Sequence, residues 1–324
     1  KHTCMKILIT GSCGFIGFNF SKFLLEKNFS IVGIDNLNNY YSVNLKKKRL
    51  NLLKKFNKFK FHKINLNNYQ KIEKIFKLYR FDYIFHFAAQ AGVRYSIQFP
   101  KKYIDSNICG YFNILELSKK NKIKRLFYAS SSSVYGDTKK FPLKENNLLN
   151  PNNTYSLSKK FNEDISKIYS KYYDLKLIGL RFFTIYGEWG RPDMFIQKTI
   201  SASFFKKKLY LNNYGNHYRD FTYIDDAIKL IYGLFKYKKL KKFDVFNICS
   251  NKPFKLNKII NLVEKNIRKV KIIKKNLQKA DVIKTHGDNS KVKKILNYRK
   301  FYPIEKGLKN TIKWFEDFYR INNR

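Results

Sequence analysis

The chain has 324 residues, enough for one large domain or two interlocked domains with a sizeable buried core. Its formal net charge is +44, but the basic residues are spread over most predicted helix surfaces in short runs, as on solvated faces. We therefore expect no nucleic-acid partner, and no membrane span, since every apolar run is shorter than the roughly 20 residues that a span needs.

Cysteine and histidine usage favours a reducing compartment without a structural metal. The four cysteines form no CxxC pair, and the five histidines have no metal-ligand spacing. No signal peptide is visible, so we expect a cytoplasmic protein. Met5 reads like a natural start, and we treat residues 1–4 as an extension of unknown origin.

The first predicted strand, residues 6–10, leads into a glycine-rich turn and then a helical pattern through residue 27. Gly11, Gly14 and Gly17 lie in this turn. Glycines at this spacing permit a tight turn and let a pyrophosphate approach the backbone, while the helix N-terminus supplies N–H groups. A plain strand-to-helix turn needs one glycine, so the three together predict a dinucleotide site.

A second predicted strand, residues 30–34, ends in Asp35, which lies 24 residues after Gly11. A carboxylate here can accept hydrogen bonds from the adenosine ribose hydroxyls and repels a 2′-phosphate. Asp35 could also simply cap the following turn. The glycine motif and the spacing favour the first reading, with NAD as cofactor.

Further strands are predicted over 59–64, 83–87 and 125–129, and helices over 69–78 and 101–119. The small residues Ala88 and Ala89, with Gln90, follow the fourth strand, where backbone can approach a ligand closely. The alternation of strand and helix predicts an α/β protein with a Rossmann-type, doubly wound parallel sheet.

The fifth strand leads into a run of four serines, Ser130 to Ser133, and a helix from Thr154 to about Tyr173 follows. Tyr155 and Lys159 share one face of that helix. A nearby cation draws the pKa of a phenol down from about 10 and makes it a general base. Such a pair arises by chance in a chain rich in Tyr and Lys, and serine runs also fill loops, so the inference depends on the order of the motifs.

In this order the motifs resemble the extended short-chain dehydrogenase/reductase superfamily. Within it, the chain is most similar to the nucleotide-sugar epimerases, and among these to the UDP-glucuronate 4-epimerases. The resemblance extends from Met5 to about Tyr319. It rests on these segments: 11–17, 35–41, 88–96, 130–136, Tyr155 with Lys159, 181–187, 189–194 and 219–226.

The resemblance implies a catalytic role for Tyr155, Lys159 and Ser131. Tyr155 would take the proton from the sugar 4-hydroxyl, Lys159 would bind the nicotinamide ribose, and Ser131 would hydrogen-bond the reacting hydroxyl. A 4-keto sugar would turn over and take the hydride back on its other face, so NAD is a retained catalyst. The expected NAD-binding residues are Gly11, Gly14, Phe15, Ile16, Gly17, Asp35, Asn36, Asn65, Leu66, Ala88, Ala89, Gln90, Tyr155 and Lys159.

The resemblance also implies the substrate site. Arg219 matches an arginine on the UDP diphosphate, and Asp281 an acid near the uridine ribose. Thr184 stands where hexose 4-epimerases have an Asn. Arg191 follows seven residues later, as an Arg does in the uronate 4-epimerases. The expected substrate-binding residues are Ser131, Ser132, Ser133, Arg94, Thr184, Arg191, Arg219 and Asp281.

We expect Arg191, Thr184, Ser132 and Ser133 to surround a substrate carboxylate. Arg191 could instead form a surface salt bridge or contact the diphosphate, since Arg binds phosphate equally well. Related dehydratases carry Asp-Glu where Ser132 and Ser133 stand, and related decarboxylases carry Glu at 133, so neither reaction is expected.

Other readings remain. One is a 4-epimerase for UDP-glucose or UDP-N-acetylglucosamine, which Thr184 and Arg191 disfavour. Another is an idle NAD-binding regulator, against which the complete Ser131, Tyr155 and Lys159 set argues. Two departures from the family pattern are Asn65, where relatives have Asp, and Lys279-Ala280, where relatives have Pro-Gly.

We expect an NAD-binding domain over 1–180, to which 222–252 returns, and a UDP-sugar domain over 181–324. By resemblance, the helices at 101–119 and 154–173 would form a homodimer interface. The product would feed capsule or lipopolysaccharide synthesis.

Overall fold

The computed structural model describes residues 5–278 and 281–322. The strands are β1 Lys6–Thr10, β2 Ser30–Asp35, β3 Phe59–Lys63, β4 Tyr83–His86, β5 Arg125–Ser131, β6 Leu177–Phe182, β7 Thr184–Tyr186, β8 Lys208–Asn212, β9 Tyr218–Tyr223, β10 Phe243–Ile248, β11 Pro253–Lys255 and β12 Lys271–Lys275. The helices are α1 Phe15–Glu26, α2 Val43–Lys54, α3 Tyr69–Tyr79, α4 Val93–Gln98, α5 Pro100–Tyr103, α6 Gly110–Lys120, α7 Thr154–Tyr172, α8 Phe195–Phe204, α9 Ile224–Lys236, α10 Leu256–Asn266, α11 Ser290–Leu296 and α12 Ile304–Asn322.

The chain divides into two compact units. The first contains the residues through Asp137, then 147–181 and 234–246; the second contains 138–146, 182–233 and the residues from 247 onward. The sequence predicts that 222–252 returns to the first domain, whereas the returning stretch of the first unit is 234–246. In the described part of the chain, we find no helix with the length and hydropathy needed to cross a bilayer.

The first unit is built on a seven-stranded sheet in the order β10-β6-β5-β4-β1-β2-β3. The pairs that connect β5, β4, β1, β2 and β3 are parallel. Because β1 and β4 are neighbours while β2 and β3 extend to the other side of β1, the strand order reverses at β1. This confirms the predicted doubly wound α/β fold, in which ligands bind beyond the carboxyl ends of the strands at such a reversal.

The core of the first unit follows from near-continuous apolar strands. Residues 7–10 of β1 are all completely buried, as expected for a strand covered by helices on both faces. One core cluster joins β1, β2 and β4 to the helices α3 and α6. Its best-buried members include Leu8, Ile72, Ile84, Ile114 and Leu126.

The predicted helix over 101–119 is present as an uninterrupted helical run, but it is not α-helical throughout. α5 ends at Tyr103, a π-helical segment spans Ile104–Cys109, and α6 begins at Gly110. A π-helical turn contains one more residue than an α-helical turn and is common at functional sites. Helix propensity alone does not reveal this insertion, because all the residues concerned are compatible with a helix.

The second unit contains two small sheets and a C-terminal helix. β9 pairs with β7 in parallel and with β11 antiparallel, and β8 pairs with β12 in parallel. Helix α12 presents Trp314 and Phe318 to Trp189, whose ring centre lies 5.3 and 5.4 Å from theirs. Trp189 has a φ of +60°, in the left-handed region, and lies two residues before Arg191.

Candidate active site in two parts

The glycine turn of the first unit has the geometry of an anion-binding loop. Gly11 has a φ of +71°, and a Cβ there would lie 2.7 Å from the Ala88 backbone nitrogen. A Cβ on Gly17 would lie 2.1 Å from the Gly11 carbonyl oxygen. Gly14 is the N-cap of α1, so the N–H groups of Phe15, Ile16 and Gly17 belong to the first turn, which has no intrahelical acceptors.

Asp35 lies at the end of β2, next to this turn. Its carboxylate accepts hydrogen bonds from the backbone N–H of Cys13 at 3.0 Å and of Leu37 at 2.8 Å. Burial raises the pKa of Asp35, while these two bonds and the charges of Lys46 and Arg49 oppose the rise. An ionised carboxylate has about four acceptor positions, so this group retains capacity for ribose hydroxyls.

The remaining expected cofactor residues lie on loops after β2, β3 and β4. The Asn36 side chain accepts a bond from the Asn38 N–H, and the exposed Asn65 from the Asn67 N–H. Leu66 is buried, and its carbonyl accepts a bond from Asn113. The loop that contains Ala88, Ala89 and Gln90 directly follows β4.

Helix α7 begins as the sequence predicts. The Asn153 side chain accepts a bond from the Ser156 N–H at 2.9 Å, and the Ser156 hydroxyl accepts one from the Asn153 N–H at 3.2 Å. This capping box fixes the first turn, which contains Tyr155. The half-buried Tyr155 ring contacts the Tyr103 ring edge to face, at a centroid distance of 6.0 Å.

Lys159 is buried one turn further along α7. Its Nζ donates to the Ala129 carbonyl at 2.8 Å, and burial lowers the pKa of Lys159 to about 7. The neighbouring His86 at the end of β4 has no exposed surface, and burial and the Lys159 charge lower its pKa to about 3. Burial thus favours the uncharged form of both side chains.

The serine run begins within the sheet. β5 extends two residues beyond its predicted end, so Ser131 is the last residue of a strand and Ser132 begins a 3₁₀ turn. The Ser131 hydroxyl accepts a bond from the Ser133 N–H at 3.2 Å and lies 3.1 Å from the Ser133 hydroxyl. The Ser131 hydroxyl therefore lies at the carboxyl end of a parallel strand, the edge at which such sheets bind ligands.

Asn107, in the π-helical segment, is a site residue that we did not predict from the sequence. Its side chain accepts a bond from the Gln90 N–H at 2.7 Å and donates to the Gln90 carbonyl and the Ser158 hydroxyl, both at 3.0 Å. Asn107 thus joins the loop after β4 to the helix that contains Tyr155. The available signal was a polar residue at helical spacing between the aromatic residues Tyr103 and Tyr111, both of which are buried.

The other expected substrate residues lie elsewhere. Arg94 is exposed on α4 of the first unit, and Thr184 is the half-buried first residue of β7 in the second. Arg191 makes a bidentate ion pair with Asp193, with N–O distances of 3.0 and 2.5 Å. The salt bridge that we considered for Arg191 is therefore present.

Arg219 and Asp281 also belong to the second unit. Arg219 donates to the carbonyls of Tyr218 at 2.8 Å and Ile283 at 3.1 Å. Asp281 accepts a bond from Asn212, and its carboxylate lies 3.9 Å from the ring of the buried His217. Lys279-Ala280 lies outside the described residues.

A family model described as GDP-mannose 4,6 dehydratase matches residues 8–311. The UDP-glucuronate 4-epimerase of Thermodesulfobacterium geofontis is 41% identical over 315 residues, with 96% of each chain covered. Protein CapI of Staphylococcus aureus is 38% identical over 334 residues, which cover 98% of this chain and all of CapI.

Two solved structures extend the comparison. UDP-glucuronic acid 4-epimerase from Bacillus cereus, in complex with UDP-glucuronic acid and NAD, has a TM-score of 0.91 and 29% identity, with 97% of this chain and 100% of that chain covered. UDP-glucose 4-epimerase from Thermotoga maritima, with UDP-glucose, has a TM-score of 0.88 and 27% identity over the same shares of the two chains. Similar backbones therefore accompany different sugars.

The chain belongs to the GDP-mannose 4,6 dehydratase family, within the extended short-chain dehydrogenase/reductase superfamily. Within it, the protein is an NAD-dependent nucleotide-sugar 4-epimerase, an isomerase. Its residues fit NAD, because the turn at Gly11 and Gly17 is too tight for a side chain, the first turn of α1 presents backbone N–H groups to a pyrophosphate, and Asp35 adjoins that turn. In the described ranges, no group of three or more His, Cys, Asp or Glu side chains could hold a metal ion.

Proposed function

We propose that the protein interconverts UDP-glucuronate and UDP-galacturonate. In this structure the Arg191 guanidinium binds the Asp193 carboxylate through two bonds, and the proposal requires the substrate carboxylate to take the place of Asp193. A uronate carboxylate offers the same two oxygens, whereas a neutral hexose offers none. The relative from Thermodesulfobacterium geofontis, a UDP-glucuronate 4-epimerase, supports this choice.

In the proposed reaction, Tyr155 accepts the proton of the sugar 4-hydroxyl and later returns it. NAD, when bound, supplies a hydride acceptor and then a donor for carbon 4. The protonated form of Lys159, which is buried beside Ala129, stabilises the Tyr155 phenolate. Ser131 orients the 4-hydroxyl. Arg219 and Arg94 would bind the diphosphate and sugar, and Asp281 the uridine ribose.

The substrate carboxylate poses a chemical problem, because a 4-keto uronate is a β-keto acid that readily loses carbon dioxide. We propose that Arg191, with Thr184 and the hydroxyls of Ser132 and Ser133, holds the carboxylate so that its bond to the sugar lies out of line with the carbonyl π-system. Arg191→Ala should then slow epimerisation and release UDP-pentose as a side product. Normal turnover without decarboxylation in this variant would contradict the clamp.

One experiment tests the proposed substrate. Purified protein is incubated separately with UDP-glucuronate, UDP-glucose and UDP-N-acetylglucosamine, and the products are followed by proton NMR. Formation of UDP-galacturonate in the first sample alone supports the proposal. UDP-xylose in that sample overturns the proposal and favours a decarboxylase. Conversion of the neutral sugars alone also overturns it and favours a 4-epimerase for UDP-glucose or UDP-N-acetylglucosamine.

The cellular setting is proposed by resemblance. We infer a cytoplasmic homodimer whose product feeds capsule or lipopolysaccharide synthesis. Apolar side chains exposed on α6 and α7, such as Phe112 and Ile168, are consistent with a second copy covering these helices.

A further inference from the structure

Four buried side chains form one network beside the serine run. The Glu163 carboxylate accepts a bond from the Ser130 hydroxyl at 2.5 Å and two from the Arg181 guanidinium, at 2.9 and 2.7 Å. The remaining arm of Arg181 donates to the Tyr135 hydroxyl at 2.8 Å. All four residues are at most 4% exposed.

The network joins four elements of the first unit. Glu163 lies in the middle of α7, Arg181 near the end of β6, Ser130 near the end of β5, and Tyr135 at the end of the 3₁₀ turn. Ser130 directly precedes Ser131, and Tyr135 follows Ser133 by two residues. The network therefore holds the backbone on both sides of the three serines to which the proposed chemistry assigns roles.

A second contact between α7 and β5 lies next to the bond between Glu163 and Ser130. Lys159 and Glu163 lie four residues apart on one face of α7, and they bind consecutive residues of β5, the carbonyl of Ala129 and the hydroxyl of Ser130. Two consecutive contacts fix the register of a helix on a strand, because a shift by one residue breaks both. Tyr155, one turn before Lys159, takes its position relative to Ser131 from this register.

A contribution to folding stability is a weak explanation for the buried ion pair between Glu163 and Arg181. Burying two opposite charges costs several kcal/mol per ion, and well-packed apolar residues of similar volume often stabilise a protein equally well or better. Charged partners specify geometry, because the planar guanidinium accepts few orientations of its carboxylate.

We infer that Glu163 and Arg181 are positioning residues, which act through Ser130 and Tyr135 to hold the Ser131 hydroxyl at the distance from Tyr155 that proton and hydride transfer require. This inference rests on the epimerase chemistry assigned to these residues, and it does not depend on which sugar is the substrate. Misplacement of a reacting group by about 1 Å costs up to about 100-fold in rate.

The test uses variants that leave no buried charge without a partner. Ser130→Ala removes one bond to Glu163, Tyr135→Phe removes one bond to Arg181, and the double variant Glu163→Met/Arg181→Met removes both charges. We expect kcat to fall about 10-fold in each single variant and up to about 100-fold in the double variant. The KM for the UDP-sugar and the bound NAD content should stay close to those of the wild type.

Ser166→Ala is the matched control. The Ser166 hydroxyl is also fully buried on α7 and lies 2.6 Å from the Tyr111 hydroxyl, but on the part of the helix beyond the network. It should lose stability without losing kcat. Arg181→Lys keeps the charge without the planar fork and should retain more activity than the double variant.

Wild-type kcat in the double variant would overturn the inference, as would a loss no larger than that of Ser166→Ala. If the double variant does not fold, Ser130→Ala and Tyr135→Phe decide by the same criterion. All rates are measured with whichever UDP-sugar the wild type converts. The comparison of kcat between variants and wild type is therefore valid even if the substrate is not UDP-glucuronate.

Discussion

Tyr155 and Lys159 lie one helical turn apart on α7, and Lys159 reaches back to the end of β5. Replacing Tyr155 with Phe keeps the ring and its contact with Tyr103 but removes the proposed proton acceptor. We expect kcat to fall by about 10²- to 10⁴-fold, the usual contribution of a general base, with little change in substrate affinity. The measurement is steady-state turnover together with a direct binding titration.

Tyr172→Phe is the control for this prediction. Tyr172 lies on the same helix but is 68% exposed, so removal of its hydroxyl should leave kcat unchanged. Substantial turnover by Tyr155→Phe would assign the base to another residue.

His86 allows a prediction about pH. Its pKa falls from 6.5 to about 3 in the folded protein because of burial and the Lys159 charge. Between these values the unfolded chain binds a proton that the folded chain does not, so folded-state stability is lost as the pH falls from 6.5 toward 3. In His86→Phe this loss should be smaller, by up to about 1.4 kcal/mol per pH unit.

The measurement is urea unfolding of both proteins at several pH values, with NAD at a fixed saturating concentration. Loss of the bond between His86 and Thr10 lowers the stability of the variant at every pH and so does not alter the slope. Between pH 7 and 8 the two slopes should agree. Equal slopes below pH 6 as well would mean that His86 titrates normally.

Single residues differ in how far the sequence predicts them. Asp35 and Ser131 are recognisable as candidates because Asp35 lies at a fixed distance from a short glycine motif and Ser131 lies in a serine run at the end of one strand. Asn107 and Glu163 are not, because their contacts join residues distant in sequence. Asn107 contacts Gln90 and Ser158, which lie 17 and 51 residues away. Only the packed structure brings such partners together.

At the scale of elements, the turn between β1 and α1 leads to a graded prediction. A Cβ on Gly17 would lie 2.1 Å from the Gly11 carbonyl oxygen, so Gly17→Ala must open the turn. A Cβ on Gly14 would lie 3.0 Å from the same oxygen, which a small adjustment accommodates. We expect NAD binding about 10-fold weaker or worse in Gly17→Ala and a milder loss in Gly14→Ala.

The bound nicotinamide content of each purified variant, released by acid and quantified chromatographically, checks this order. Wild-type content in Gly17→Ala, or a larger loss in Gly14→Ala, would show that the turn is looser than its backbone contacts indicate.

Elements were predicted best where the sequence is strictly periodic. The five strands β1 to β5 and helix α7 agree with the sequence within about two residues, because apolar runs, glycines and the Asn153 cap mark their limits. The π-helical character of the segment between α5 and α6 was missed, because its sequence has the same helical pattern as the residues on either side. The second unit has short strands without clear alternation, and the sequence predicted little of it beyond its motifs.

At the scale of the whole molecule, the net positive charge opposes association between two copies of the chain, whereas the exposed apolar side chains on α6 and α7 favour it. Each chain has a formal net charge of +44, so two copies repel each other, and salt shortens the range of that repulsion to about 8 Å at physiological ionic strength. Apolar contact between copies must overcome this repulsion. A proposed homodimer should therefore be more stable in moderate salt than in dilute buffer.

The surface proposed for this contact includes Phe112 on α6, which is 42% exposed, and Ile168 on α7, which is 50% exposed. The double variant Phe112→Glu/Ile168→Glu places a carboxylate on each helix, and desolvating these groups in an apolar interface is unfavourable. Light scattering at physiological salt should give twice the chain mass of 38.8 kDa for the wild type and the single mass for the variant. Leu78→Glu, at a 65% exposed position on α3, adds the same kind of charge outside this surface and should remain dimeric. A wild-type protein that is monomeric at every salt concentration, or a double variant that is still dimeric, would exclude α6 and α7 as the interface.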